Sequence, residues 1–283
     1  MQQRDLIAER RIAPGGRDEH FQVFLVFNQS QDVDIRLAEI PYRYGIIILT
    51  MKNIQPQQPS YLSPYTRACL DALVKADLAN CISIGGAFGL FHYLDYRPTH
   101  DVDAWWSDSV TEKQRLALVK ALETTLSNFG SVCVRSWGDV VSVELHQDGK
   151  TVFSFQVASR SVRLEKPISA GWIDVPLDNL ADLVASKMVA LVERGAPRDF
   201  LDIYTLCQAG LISIAESWAL WRKRQMLAGS DVDISRAFLA IETHLERIAL
   251  HRPLQKIEDV QQRQQAQQVR EWYMSDFQQV KDE

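Results

Sequence analysis

Ile84 to Trp106, IGGAFGLFHYLDYRPTHDVDAWW, decides how the chain reads. A short apolar run, Cys81 to Ile84, ends in Gly85-Gly86. A helical pattern follows from Ala87 to Tyr96, and beyond Arg97-Pro98-Thr99 a second strand covers His100 to Trp106. Alternation along that strand sends Asp101 and Asp103 to one face and Val102 and Ala104 to the other. Two hard oxygen ligands thus converge on one side, which suits Mg2+. Two such ions about 3.5–4 Å apart bridge triphosphate oxygens, activate an attacking hydroxyl and stabilise the leaving pyrophosphate. The glycines let backbone N–H groups approach a phosphate at a helix start. A DxD pair alone recurs on many exposed strands. Strand, Gly-Gly, helix, Arg97, Thr99 and DxD in this order supply phosphate donors and metal ligands from one unit.

Outward from this stretch the pattern stays regular. Leu70, Leu73, Val74 and Leu78 follow Ser63 at helical spacing. After the DxD strand come a helix over Thr111–Asn128 and strands over Ser131–Trp137, Val140–His146 and Thr151–Ala158. Beyond Pro176 the chain reads as helices: Leu177–Glu193, Pro197–Gln208, Ile212–Leu227 and Asp231–Leu250. The Gln-rich tail from Gln255 is poor in apolar residues between Gln261 and Gln268 and reads as a solvated helix or a partly disordered segment. The expected class is α+β: a mixed β-sheet core with flanking helices and a C-terminal helical bundle. The expected boundaries are 1–50 as a poorly structured extension, 51–175 as the α/β core, 176–254 as a helical domain and 255–283 as the tail. Residues 1–50 carry Pro14-Gly15-Gly16 and sustain no helical period, with short strands open around Gln22–Asn28. The polar MKNIQPQQPSYLSP from Met51 reads as a bacterial N-terminus, and the preceding segment as translated upstream sequence.

Composition narrows the function classes. A net charge of -5 argues against a wholly basic nucleic-acid coat, so any polyanion binding must be local. Cys69, Cys81, Cys133 and Cys207 lack both CxxC zinc spacing and a dense disulfide pattern, and read as reduced thiols. The apolar stretch Tyr44–Met51 is too short to span a bilayer, and no signal segment opens the chain, so the expected location is the cytoplasm.

A second chemical block is KMVALVERGAPRDFLDIYTL, from Lys187 to Leu206. Lys187 and Arg194 lie seven apart and share a helix face with Leu180, Leu183, Val184 and Leu191. Either both snorkel past the core edge, or they neutralise triphosphate or orient an acceptor. Gly195 is placed to end this helix and Pro197 to open the next, which puts Asp199 and Asp202 three apart in its first turns. Helix-dipole stabilisation alone accounts for two carboxylates there. His92 and His100 flank the DxD without triad or HExxH partners and read as structural. Trp105-Trp106 suits stacking on a base or strand burial, and the WRKR run at Trp221–Arg224 suits RNA backbone or a wet helix face.

Together these blocks resemble the DNA polymerase β-type nucleotidyltransferase superfamily, in its AbiEii/AbiGii toxin-like branch, over about Cys81 to Leu206. The resemblance implies that Gly85 and Gly86 hold the triphosphate with Arg97, Thr99, Arg194, Arg198 and Asp199 on the nucleotide side. It implies that Asp101 and Asp103 hold Mg2+, that Lys187 is catalytic or contacts the nucleotide, and that Asp202 is a functional carboxylate. It also implies an NTP substrate, an RNA acceptor such as tRNA, and a cognate antitoxin. The chain departs from the superfamily in one respect. The strand expected to bear a third carboxylate offers Gln156, and Glu144 on the preceding strand is the substitute, or else a solvent-facing side chain. A small-molecule nucleotidyltransferase of the antibiotic-modifying kind and an NTP-binding pseudoenzyme share the same motifs.

Overall fold

A computed structural model describes residues 54–97, 99–160 and 162–278. The expectations for residues 1–50 and for a start at Met51 lie outside the described residues.

Helix α1 (Pro64–Lys75) begins where Ser63 accepts the Thr66 N–H at 3.0 Å and a proline takes the first turn, which needs no donor. Strand β1 (Ile82–Ile84) is wholly buried and runs into the short helix α2 (Gly86–Phe91). Strand β2 (Val102–Trp106) returns antiparallel to β1, with Ile84 opposite Ala104. Helix α3 (Glu112–Leu126) opens with a reciprocal cap between Thr111 and Gln114 and buries Leu118, Leu122 and Leu126, four apart along one face. Strands β3 (Ser131–Trp137), β4 (Val140–Gln147) and β5 (Lys150–Ala158) form an antiparallel meander, and β5 lies parallel to β2. Two short strands, β6 (Ile168–Ser169) and β7 (Pro176–Leu177), complete a seven-stranded mixed sheet in the order β3-β4-β5-β2-β1-β7-β6. The class is α+β, as the sequence pattern requires.

The two sheet faces differ in chemistry. Val102, Ala104, Trp106, Val143, Leu145, Phe153, Phe155 and Val157 share one face and pack with the buried residues of α1 and α3. The other face carries the intervening residues, Asp103 and Trp105 from β2, Gln156 from β5 and Glu144 from β4.

Several helix limits differ from the sequence expectation, the start at Ile234 rather than Asp231 among them, and two of the differences bear on the site. α2 stops at Phe91 instead of Tyr96, because Tyr96 and Arg97 turn away to bind Asp202. The helix expected from Leu177 starts at Leu180. Leu177 pairs with Ile84, Asp178 N–H donates to Ile84 O at 2.9 Å, and Asn179 caps the helix by accepting the Asp182 N–H.

Helix α4 (Leu180–Glu193) is followed by α5 (Pro197–Gln208), α6 (Ile214–Ala228), α7 (Ile234–His251) and α8 (Val260–Met274). The Gln-rich tail is therefore helical, and its end is anchored rather than solvated. Trp272, Tyr273 and Phe277 are buried against Phe200, Trp218 and Phe238, and the Tyr273 hydroxyl donates to Phe200 O at 3.1 Å. WRKR is no wet face: Trp221 is buried, and Arg224 turns inward to within 3.8 Å of Asp182. The cysteines are free thiols, as expected. Among the described residues no helix is long and apolar enough to cross a membrane.

The anchored tail makes a measurable claim. Trp272→Ala empties part of a buried aromatic cluster and should cost about 3–5 kcal/mol in denaturant unfolding. A merely solvated helix would lose within about 0.5 kcal/mol.

Candidate functional site

Asp103 sits on β2 with Gly86 pressed against it. A Cβ built on Gly86 would lie 2.2 Å from Asp103 Oδ2, and Gly86 has φ +58. Both close approach and backbone conformation thus demand glycine here. Gly85 is packed as tightly under Trp105, whose Nε1 would meet a Cβ at 2.3 Å, and its N–H donates to Asp103 O at 2.8 Å. The Gly-Gly turn and the DxD strand are one packed unit.

Asp101 immediately precedes β2 and is exposed. Its Oδ1 accepts the backbone N–H and the hydroxyl of Ser154 at 2.9 and 3.0 Å, while Oδ2 makes no hydrogen bond among the described residues. Ser154 was not among the residues singled out from the sequence. Its part depends on β5 lying parallel to β2, a register that pattern alone does not reveal. The same register puts Gln156 directly across from Asp103. Glu144 faces Ser154 from β4, so it stands two strands from Asp101, about 10 Å at the usual strand spacing. There it meets Arg135 at 3.4 Å and His146 at 3.3 Å.

Helices α4 and α5 bring the second block to the same place. Gly195, at φ +53, ends α4 and lets the chain turn into α5. Asp199 and Asp202 then face inward with no exposure at all. Arg194 forks onto Asp199 at 2.8 and 2.9 Å, and Arg97 forks onto Asp202 at 2.9 and 3.2 Å. Tyr96 donates its hydroxyl to Asp202 at 2.5 Å. The Lys187 ammonium lies 2.7 Å from Asp202 and 3.7 Å from Asp199. Lys187 is 7% exposed, so it does not snorkel to solvent; it is enclosed with its counter-ions. These carboxylates do more than complement a helix dipole, since they fix three cations from two segments.

Electrostatics tie the two blocks together. Burial pushes the Asp103 carboxyl above its ordinary range, the positive charge of Lys187 pulls it back, and neighbouring Asp101 adds to the rise. Arg198 and Arg194 also act on Asp103. For Asp202 burial again works upward, but Lys187 and Arg97 outweigh it and hold the carboxyl below its ordinary value.

Gly85, Gly86, Asp103, Lys187, Arg194, Arg198, Asp199, Asp202 and Arg97 therefore form one connected constellation. Glu144 stands apart from it, and the Thr99 side chain makes no hydrogen bond among the described residues. His92 is enclosed, bonded through Nδ1 to Phe88 O and stacked on Trp172, and burial lowers its pKa to about 4. Trp106 belongs to the core, while Trp105 roofs Gly85 beneath the Arg160 guanidinium. The sequence also gave no warning of Arg160 itself, which is buried and bonded to Ser83 and Asp178.

Among the described residues no three His, Cys, Asp or Glu side chains gather as a metal cage. Two carboxylates on one strand face still fit magnesium, which is usually held by one or two carboxylates together with substrate phosphates and water.

Two outcomes follow from this geometry. Gly86→Ala should displace the Asp103 carboxylate and strain a positive φ, removing nearly all activity and lowering stability in thermal melts by more than about 1 kcal/mol. Asp202→Asn should destabilise by about 3 kcal/mol at neutral pH, because Lys187 and Arg97 lose a buried counter-ion. Asp202 binds its proton more weakly folded than unfolded. Its contribution is therefore full above the ordinary value of 3.8 and fades as pH falls through the lowered folded one. The wild-type advantage over Asp202→Asn in thermal melts should shrink correspondingly in acid.

No curated protein matches the chain. A family model described as nucleotidyl transferase AbiEii toxin, type IV TA system, matches residues 68–279, which include the Gly-Gly turn, the DxD strand and both helices that carry the buried charges. The chain belongs to the AbiEii nucleotidyl transferase toxin family and is a nucleotidyltransferase.

Proposed function

We propose that the protein transfers a nucleotide from an NTP, bound with magnesium, to a hydroxyl of an RNA acceptor such as tRNA, and that it is the toxin of a pair whose antitoxin is encoded with it. The observation that carries the reading is Asp103, half-buried against a side-chain-free turn and within the field of Lys187, Arg194 and Arg198. A carboxylate pair facing these cations suits a metal-bound polyphosphate.

In this reading Asp101 and Asp103 would hold the magnesium, which would supply charge neutralisation for the triphosphate and polarisation of the reacting phosphoryl group. The turn at Gly85-Gly86 gives the phosphates access to backbone close to those carboxylates. Lys187 meets the negative charge that grows on the departing pyrophosphate. Asp199 and Asp202 act on Lys187 and Arg194, holding them where the phosphates arrive, and Arg97 completes that hold. Ser154 orients Asp101. With triphosphate on the β1 and α4 side, the acceptor hydroxyl enters over β5, past Gln156. Gln156 takes no proton, and Glu144 is the nearest further carboxylate on that face, so it serves the acceptor rather than the metal. Work on NTP and RNA places the protein in the cytoplasm.

Gln156 also favours a second reading, an NTP-binding protein without turnover. Both are tested by incubating the protein with each labelled NTP, magnesium and total RNA. We expect label in RNA, lost with EDTA and reduced at least about 100-fold in Asp101→Asn/Asp103→Asn. Label on small acceptors only would redirect the acceptor class, and nucleotide binding without any transfer would establish the second reading instead.

A further inference from the structure

The start of α5, the end of α7, the turn at Leu254–Lys256 and α8 enclose a groove of about 960 Å³ that the proposed chemistry does not use. Leu201, Ile248, Ile257 and Val269 are among the apolar residues that line it, while Arg198, Arg252, Lys256 and Arg270 supply its positive charge. Two carboxylates oppose these four cations, and one of them, Asp259, is already accepting the Gln262 N–H at 2.7 Å as the cap of α8. Arg270 is braced on Arg252 O at 2.7 Å, whereas Arg252 and Lys256 are exposed and make no side-chain ion pair among the described residues. In a chain of net charge -5 this is a local reversal of sign.

One lining residue connects the groove with the carboxylate site. Arg198 lines it and also acts on Asp103. Arg247 and His251 stand one turn apart on α7; Arg247 donates to Arg194 O at 2.7 Å, and His251 lines the groove. Cations thus run from Arg194, whose charge reaches Asp103, through Arg247 and Arg198, to Arg252 and Lys256. Phosphates suit the cations and unpaired bases suit the apolar lining.

We infer that this groove seats the single-stranded end of the acceptor polynucleotide and delivers it to Asp101 and Asp103, an inference that rests on the transfer reading above. Its test uses binding alone, so that the two fail separately. A fluorescein-labelled single-stranded oligoribonucleotide is titrated with the full chain in EDTA without NTP, and anisotropy is followed at several salt concentrations. Arg252→Glu/Lys256→Glu should weaken binding at least about tenfold and flatten the slope of log K against log salt by about 1.4, two phosphate contacts' worth. Lys113→Glu/Lys120→Glu changes net charge equally on α3, beneath the opposite sheet face, and should stay within about twofold. Asp101→Asn/Asp103→Asn should bind normally. If the groove variant melts early, Arg252→Gln/Lys256→Gln should show the same loss at reduced size. Equal weakening by the α3 pair, no effect of either groove pair, or no oligonucleotide binding by the wild type would each overturn the inference. The last two would point to a groove for a different class of partner. Groove-dependent binding without label transfer would uphold the groove and sink the transfer reading.

Discussion

Two carboxylates on one turn of α5, Asp199 and Asp202, bind three cations delivered by two separate segments: Arg97 from the α2–β2 connection, and Lys187 and Arg194 from the middle and the end of α4. Taking such charges out of water costs several kcal/mol per ion, and only near-complete pairing recovers it. Forked geometry from both arginines, the Tyr96 hydroxyl and the Lys187 ammonium provide that pairing. The consequence is rigidity. Lys187 is held by Asp199 and Asp202, which no solvent reaches, and the chain entering the DxD strand is tied to the helical half through Arg97.

The sheet sets the other half of the site. One face is given to α1 and α3 and buries every alternate residue of β2 and β5, which fixes their register. That register leaves Asp101 beside Ser154 and Asp103 beside Gln156 on the remaining face. Gly86 closes against Asp103 from β1. Acid and cation are balanced so that Asp103 is pushed toward its neutral form by burial and pulled back by Lys187.

The helical half does more than cover the sheet. Its tail helix docks through Trp272, Tyr273 and Phe277 onto the aromatic residues of α5, α6 and α7. The polar, glutamine-rich part of α8 then forms one wall of a basic groove whose other wall begins at Arg198. The same docking that stabilises the bundle thus shapes the groove at the start of α5.

Local pattern was enough for the DxD strand, the Gly-Gly turn and the two helices split by Gly195 and Pro197, because each is written in neighbouring residues: alternation, a breaker, a cap. It was enough, too, for the family. Pattern also marked Lys187, Arg194, Asp199 and Asp202, since their spacing is helical. What it left open was every relation between distant segments. That Arg97 spends its guanidinium on Asp202, that Ser154 orients Asp101, that Glu144 stands two strands off and that the polar tail ends in a buried anchor all depend on register and packing. Those arise only when the sheet buries its apolar face and the charges left inside must find one another.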